Sequence, residues 1–280
     1  MNIMRVLFVY VFLSLGIPLP SEAEDTLSTQ INLETGSDSE DGSVYFIDAD
    51  IDLDGPRLSI GYGGSDVHYN SSVLSTTAKE ISFGSNPLND TSTSIGYSEW
   101  GQEGEINIRT YRFDVVFNKG NWSLSIGTEN RDIEFHTLLI ARPIINLDSN
   151  GANLGISYYG ERWYLGLNYS TKNYSRDVSI FANDPRLVFI FSPITMEHAF
   201  GFEDSRISAD IYYSLNWGNI GIDHSRSISA VDDSVSISNA VAMSFDMDKN
   251  WSLNLRSGQS ENSLYANKTT FYTIGFGYQF

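Results

Sequence analysis

Apolar and polar residues alternate with a period of two in one segment after another along this chain. Successive side chains of an extended strand point to opposite faces, so the alternation predicts strands with one apolar and one polar face. Most of these segments form pairs around short turns rich in Gly, Asn and Asp, such as Asn118-Lys119-Gly120-Asn121, which predict β-hairpins. The pattern predicts an all-β fold with fourteen strands, at residues 27–34, 43–53, 57–63, 79–84, 93–100, 111–117, 122–131, 153–159, 162–170, 207–216, 220–225, 235–247, 251–258 and 269–280.

The connections between these strands alternate in length. Short turns join the two strands of most pairs, and longer polar segments join one pair to the next, at residues 36–42, 65–78, 132–151, 171–205, 226–234 and 259–268. An even number of antiparallel strands puts the short turns and both chain ends on one side, which is the parity that a closed barrel requires. The short connection at 101–104 and a further hairpin at 178–182 and 187–191 leave twelve and sixteen strands as alternatives.

The last strand is the most specific segment. Counting back in twos from Phe280 gives Tyr278, Phe276, Ile274 and Tyr272, a continuous apolar and aromatic face that ends on the terminal residue. Such a strand is long enough to cross a bilayer at a tilt. With the short turns on one side and long loops on the other, it resembles the closing strand of Gram-negative outer-membrane β-barrels, in which Tyr278 and Phe280 correspond to the assembly signal. Size and strand count are similar to those of the monomeric fourteen-stranded porins.

This resemblance implies an antiparallel transmembrane β-barrel with short periplasmic turns and long extracellular loops. It also implies recognition of the C-terminal strand by the barrel assembly machinery, and outer-membrane lipids and lipopolysaccharide as surroundings. The N-terminus agrees with this compartment: Arg5, the apolar run 6–19 and Ser21-Glu22-Ala23 predict a signal peptide at residues 1–23, cleaved after Ala23. A membrane anchor is the alternative, which the short, proline-broken run disfavours. The barrel then occupies residues 24–280.

Four of the five tryptophans lie beside short turns. Trp122, Trp163, Trp217 and Trp251 therefore fall on one side of the predicted barrel. Tryptophan favours the membrane–water interface, where its ring is half buried and its N–H stays wet. The pattern predicts a membrane-interface belt; packing at the strand ends of a soluble sandwich is the alternative.

Charged residues on the polar faces predict the chemistry of the lumen. Asp48, Asp50 and Asp52 alternate with apolar residues, so their carboxylates project from one face of one strand. The full set of predicted pore-lining residues is Asp48, Asp50, Asp52, Arg112, Asp114, Glu129, Arg131, Asp210 and Arg256. An acidic ladder favours cations, although a salt-bridged lumen without a role in transport is equally compatible. Carboxylates about 7 Å apart along a strand converge poorly on one metal ion, so neither a metal nor another cofactor is expected.

The sequence favours a passive pore for small solutes and ions, with a mild preference for cations. A surface barrel with ligand-binding or adhesive loops is the alternative, because apolar runs occur within the loops 132–151 and 171–205. These runs extend the wall, constrict the pore or bind an apolar partner, and we favour the first. No enzyme activity is expected, neither lipase nor protease, since Asp223 and His224 are neighbours on opposite faces of a strand. The net charge of −18 argues against a nucleic-acid partner.

Overall fold

A computed structural model describes residues 27–53, 55–69, 72–85, 90–102, 104–136, 144–179, 202–263 and 268–280. They form fourteen strands: β1 (Leu27–Asp38), β2 (Ser43–Leu53), β3 (Pro56–Tyr69), β4 (Ser72–Ser85), β5 (Thr91–Gln102), β6 (Ile106–Lys119), β7 (Trp122–His136), β8 (Ile144–Tyr159), β9 (Trp163–Tyr174), β10 (Glu203–Leu215), β11 (Gly218–Ser229), β12 (Val235–Asp246), β13 (Trp251–Asn262) and β14 (Lys268–Gln279). The predicted all-β class is confirmed. No helix in these ranges is long and apolar enough to cross a membrane.

The sheet closes on itself. Each strand pairs antiparallel with its neighbours in the chain, and β1 pairs with β14 in a register that places Ile31 opposite Tyr278. The predicted closed barrel of fourteen strands is confirmed. The sixteen-strand alternative depended on residues 178–182 and 187–191, of which only 178 and 179 lie within the described residues. Residues 1–26, which include the predicted signal peptide, lie outside them.

Two ends of the barrel are distinguished by their connections. The short-turn end holds the connections within the predicted pairs, and the long-loop end holds the others. Three tight turns at the short-turn end use glycine at positive φ: Gly55 has φ 134°, Gly120 has φ 59° and Gly218 has φ 143°, conformations that other residues rarely adopt. At Gly218 a Cβ atom would also collide with the carbonyl oxygen of Ser244.

The strands continue further toward the long-loop end than the sequence predicted. β3 and β4 run through most of the predicted loop 65–78, and β7 and β8 take up much of the loop 132–151. The reason is a change of phase in the alternation. In β7, Leu124 and Ile126 point outward, whereas Ile133 and Phe135 near the long-loop end point inward and are buried. Because the apolar positions shift by one residue, the alternation breaks although the strand does not.

Along most of the barrel, the outer and inner faces of the wall have opposite chemistry. The outer face is apolar and exposed, as at Leu165, Leu167 and Tyr169 of β9. The inner face between them carries small and polar residues, including Gly166 and Asn168. At the long-loop end of β5 and β6 the outer face becomes charged, where Glu99 lies 3.8 Å from Lys79 and 3.7 Å from Arg109.

Candidate functional site

Acidic side chains outnumber basic ones on the lumen wall. This count leaves out residues at strand ends and at the mouth. The strand registers then place eight described carboxylates on the inner face: Glu34, Asp48, Asp50, Asp52, Glu80, Asp114, Asp210 and Asp223. Four guanidinium groups face them: Arg57, Arg112, Arg206 and Arg256. The described lumen therefore carries an excess of four negative charges in this region.

The acidic ladder of β2 lies on the inner face. Asp48 accepts a hydrogen bond of 2.8 Å from Asn32 on β1. Asp50 forms an ion pair of 2.7 Å with Arg57 on the neighbouring strand β3 and accepts a hydrogen bond from Ser59 on the same strand. Asp52 continues the row toward the short-turn end. Arg57 was not among the predicted lining residues. The short turn after β2 places it opposite Asp52 on the next strand, so it could have been predicted to face inward with that residue.

A second polar group lies on the wall formed by β10 to β14. Asp223 accepts a hydrogen bond of 2.5 Å from the Tyr212 hydroxyl and one of 2.9 Å from Nε of Arg256. The Arg256 guanidinium stands 5.4 Å from the centre of the Phe271 ring. Asp210, on the same face of β10, is half-buried. The structure thus places Asp210 and Arg256 near one another, with Asp223 between their strands.

Asp114 lies between these two walls. It accepts a hydrogen bond of 3.1 Å from Asn153, and its carboxylate occupies the space over Gly127, where a Cβ atom would collide with it. Arg112 is opposite Glu129 in the β6–β7 register. Both predicted residues of β6 therefore face the lumen.

Four buried charges form a group at the long-loop end, which we call the mouth quartet: Glu129, Arg131, Lys172 and Glu203. Arg131 lies 2.9 Å from Glu129, and Lys172 lies 3.2 Å from Glu203 and 3.9 Å from Glu129. The Arg131 side chain is only 1% exposed. The predicted lining residue Arg131 therefore faces inward but has no contact with an open lumen. Two acids and two bases compensate each other, as burial of charge requires.

An apolar layer covers the quartet, and we call it the mouth cap: Trp100, Ile106, Ile108, Ile133, Phe135, Ile145, Leu147, Val178, Phe202 and Val231. The first seven lie on the inner faces of β5 to β8. Val178 and Phe202 belong to the connection between β9 and β10, and Val231 to the one between β11 and β12. The cap therefore joins loop residues to the inside of the wall and fills this part of the mouth.

Backbone and side-chain hydrogen bonds hold the loop residues in the cap. The amide of Ala230 donates to the carbonyl oxygen of Phe202 at 2.7 Å, and the Tyr174 hydroxyl donates to the carbonyl oxygen of Glu203 at 2.9 Å. Hydrogen bonds from the side chain and backbone amide of Ser179 lower the pKa of the Asp177 carboxyl, next to Val178. In the predicted loop 132–151, β7 and β8 extend the wall; Ile145 points into the mouth whereas Ile144 points outward, and the apolar run 138–140 lies outside the described residues.

Solved structures with a similar fold include the following three. OmpTdeltaL8, a loop L8 deletion mutant of OmpT, an outer membrane protein of Vibrio cholerae, has a TM-score of 0.51 and 10% identity, covering 91% of this chain and 100% of that chain. An anion-selective porin from Comamonas acidovorans has a TM-score of 0.51 and 11% identity, over 91% and 99%. The NanC porin has a TM-score of 0.50 and 6% identity, over 89% and 98%. The sequence itself matches no protein-family profile and no curated protein.

This chain has the fold of a porin-like outer-membrane barrel. The predicted resemblance to porins of about fourteen strands is confirmed at the level of the fold. Identities of 6% to 11% carry neither the solute nor the ion preference of those proteins to this chain.

Aromatic pairs surround the short-turn end of the porin-like barrel. Ring centres lie 5.0 Å apart for Trp122 and Tyr158, 4.6 Å for Trp163 and Tyr213, 5.0 Å for Trp217 and Phe245, and 4.5 Å for Trp251 and Tyr278. All four tryptophans are exposed on the outside. The fifth, Trp100, is a buried part of the mouth cap. The structure thus brings the four predicted belt residues to one end and one face.

The C-terminal residues seal the junction between the first and last strands. The amide of Phe280 donates to the carbonyl oxygen of Thr29 at 2.9 Å, and its ring meets Tyr278 edge to face at 4.6 Å. Both rings lie on the outer face, in line with the other residues of the predicted apolar row.

Sequence reasoning missed the mouth quartet and the mouth cap. Lys172 and Glu203 lie in the predicted loop 171–205, and only the tertiary structure pairs them. The signal was an apolar alternation out of phase with the predicted strand, at Ile133 and Phe135 after strand 122–131 and at Ile145 and Leu147 before strand 153–159. His224 points outward and contacts Asn239 at 2.8 Å, away from the inward Asp223. Within the described residues no three potential metal ligands come together.

Proposed function

We propose that this protein is an outer-membrane pore for the passive diffusion of small solutes and ions, with a mild preference for cations. The observation that carries the proposal is a closed fourteen-strand barrel with an apolar exterior and a polar interior. Eight lumenal carboxylates against four guanidinium groups favour cations in the aqueous path. We infer no enzyme activity from this arrangement, since His224 points outward to Asn239, away from the inward Asp223.

The position in the membrane follows from the outer face. The aromatic pairs around Trp122, Trp163, Trp217 and Trp251 suit the periplasmic interface, where amphipathic rings settle at the headgroups. The outward charges Lys79, Glu99 and Arg109 suit the opposite boundary, beside lipopolysaccharide. Export then requires the predicted signal peptide 1–23, and insertion requires recognition of the strand ending at Tyr278 and Phe280 by the barrel assembly machinery.

The mouth cap makes this pore asymmetric. It fills the mouth along β5 to β9, where Ile108, Ile133 and Phe135 are buried. We infer that water and solutes pass along the remaining arc, from β12 through β14 to β3, where a smaller cluster of Val44, Ala240 and Phe271 is buried on the inner face. The acidic ladder of β2 lies in that arc, so entering ions pass close to Asp48, Asp50 and Asp52.

Planar-bilayer recording tests the proposal. The mature barrel, residues 24–280, is refolded in detergent, and a heat-dependent shift in gel mobility establishes that it has folded. We expect discrete conductance steps and a reversal potential of the cation-favouring sign in a KCl gradient. Folded protein that inserts without producing steps, both with the mouth cap intact and after it is loosened by Phe135→Ala, would exclude the pore.

A surface barrel with ligand-binding loops is the second candidate. The observation in its favour is the mouth cap, because an apolar layer with ten buried side chains is more than a simple open pore needs. The same recordings separate the two, since a barrel that remains closed after the cap is loosened by Phe135→Ala is not a pore. Conductance that appears only in this variant assigns the cap as the barrier.

A further inference from the structure

Two adjoining recesses lie in the lumen wall formed by β10 to β14. One has a volume of about 310 Å³ and is lined by Arg206, Ser208, Asp210, Asp223, Ser225 and Ser238, with Tyr212 and Arg256 at its border. The other, of about 280 Å³, shares Tyr212 and Arg256 and continues to Glu34, Ser244, Asn254 and Thr273. Recesses of about 300 Å³ are at the lower end of the range for small-molecule sites.

The side chains between the two recesses are held in place. Tyr212 and Arg256 both bond to Asp223, at 2.5 and 2.9 Å. The Tyr212 ring lies over Gly221, where the Cβ atom of any other residue would collide with the ring. Since glycine leaves the wall flat at this point, the ring packs against the wall there. The result is an aromatic ring held in place beside polar groups that are also held in place.

The two recesses together hold three carboxylates, of Glu34, Asp210 and Asp223, and two guanidinium groups, of Arg206 and Arg256. Arg256 pairs with Asp223, and Arg206 lies 3.9 Å from Glu203. The Asp210 carboxylate and the Tyr164 hydroxyl both lie over Gly166, where a Cβ atom would collide with them. An anionic solute would meet this excess of carboxylates and would compete with Asp223 for Arg256, so a solute without negative charge fits the recesses better. The remaining chemistry consists of carboxylate, hydroxyl and guanidinium groups around an aromatic face.

We propose that these recesses form a binding site for a neutral, ring-shaped polyhydroxylated solute, such as a monosaccharide or disaccharide. The C–H face of the sugar ring lies on Tyr212, because an apolar ring face and an aromatic face exclude water from each other. The sugar hydroxyls hydrogen-bond to Asp210, Asp223 and the serine hydroxyls, where bonds to charged partners are the stronger ones. The inference rests on the proposed function, since it supposes that solutes reach the lumen.

Titration calorimetry on the folded barrel in detergent tests the site without conductance. The probes are glucose and maltose, with sorbitol as an open-chain polyol and glucuronate as a charged ring. We expect saturable binding of glucose and maltose, and weaker binding of sorbitol and glucuronate. Equal heats for all four probes, or none, would overturn the proposal.

Matched variants locate the binding. Tyr212→Ala is expected to weaken glucose binding about tenfold, the size of one aromatic contact. Its control is Phe46→Ala on β2, which removes a ring that lies over Gly61 outside the recess. Gly221→Ala displaces the Tyr212 ring and is expected to weaken binding, whereas Gly96→Ala has its nearest neighbour at 3.5 Å and is expected to leave it unchanged. Equal affinity in Tyr212→Ala and Phe46→Ala refutes the site.

Different results would refute the proposed sugar site and the proposed pore. Conductance steps without saturable sugar binding refute the recess and leave the pore in place. Sugar binding to a folded barrel that does not conduct, with the mouth cap intact or loosened, supports the recess as a site and refutes the pore. For a conducting barrel, added glucose is expected to reduce the current in the wild type, and the same reduction in Tyr212→Ala contradicts the proposal.

Discussion

Neutralising the acidic ladder of β2 tests the proposed ion preference most directly. The variant is Asp48→Asn with Asp50→Asn and Asp52→Asn. Fourteen strands spaced about 4.8 Å apart and tilted by about 40° close a ring with a radius of about 14 Å. Side chains that reach about 4 Å inward from such a wall hold their charges about 10 Å from the axis.

The magnitude follows from this distance. One charge at about 10 Å contributes ~0.4 kcal/mol in water, which salt at about 0.1 M screens to ~0.15 kcal/mol. Four excess carboxylates then favour a monovalent cation over an anion by ~1.2 kcal/mol, or about eightfold. Removing three of the four leaves ~0.3 kcal/mol, or about a twofold preference.

The reversal potential in a KCl gradient measures this ratio. A control variant carries Asp66→Asn, Asp132→Asn and Asp148→Asn, which change the chain charge equally on outward-facing positions. We expect the ladder variant to lose most of the preference and the control to keep it. Salt of about 1 M shortens the screening length to about 3 Å and is expected to abolish the preference in the wild type. A preference that survives in the ladder variant shows that these carboxylates do not line the path.

Three further predictions concern the mouth and the chain end. Lys172→Met leaves the buried Glu203 with only Arg206, 3.9 Å away, and is expected to destabilise the folded barrel by about 3–5 kcal/mol in urea titrations. The control Lys268→Met, in a pair exposed on both sides, is expected to cost at most about 1 kcal/mol; equal shifts would contradict the buried quartet. Phe135→Ala opens a cavity in the mouth cap and is expected to lower the free energy of unfolding by about 3–5 kcal/mol and to raise the conductance. Unchanged conductance would show that the mouth cap is not the barrier to ions. Deleting Phe280 removes its bond to Thr29 and its contact with Tyr278, so heat-modifiable barrel is expected to decrease in cells while refolding in detergent persists; undiminished assembly in cells argues against the terminal signal.

The strand count and the closure of the barrel could be predicted because they depend on local patterns. Alternation with a period of two marks each strand, and turns such as the one at Gly120 mark each hairpin. Strand ends at the long-loop side could not be predicted, because in β7 the apolar residues move from the outer face at Ile126 to the inner face at Ile133. When the alternation along the sequence is followed in one phase only, this change looks like the end of the strand.

The sequence could also predict which charged side chains face the lumen, because successive residues of a strand point to opposite faces. Asp48, Asp50 and Asp52 follow this rule, as do Asp210 and Arg256. Whether a charge meets water is a different question. Arg131 has the parity of a lining residue and is nevertheless buried, since Glu129 and the mouth cap enclose it.

The sequence by itself thus determined a closed, two-faced wall of fourteen strands with its aromatic row at Phe280, because hydrogen-bonded neighbours and side-chain parity are local properties. Only the tertiary structure decided what stands inside that wall. Lys172 meets Glu203, and Val178, Phe202 and Val231 meet the inner faces of β5 to β8, because closure of the sheet brings strands and loops that are far apart in the chain to the same mouth. No periodicity along the chain records a contact of this kind.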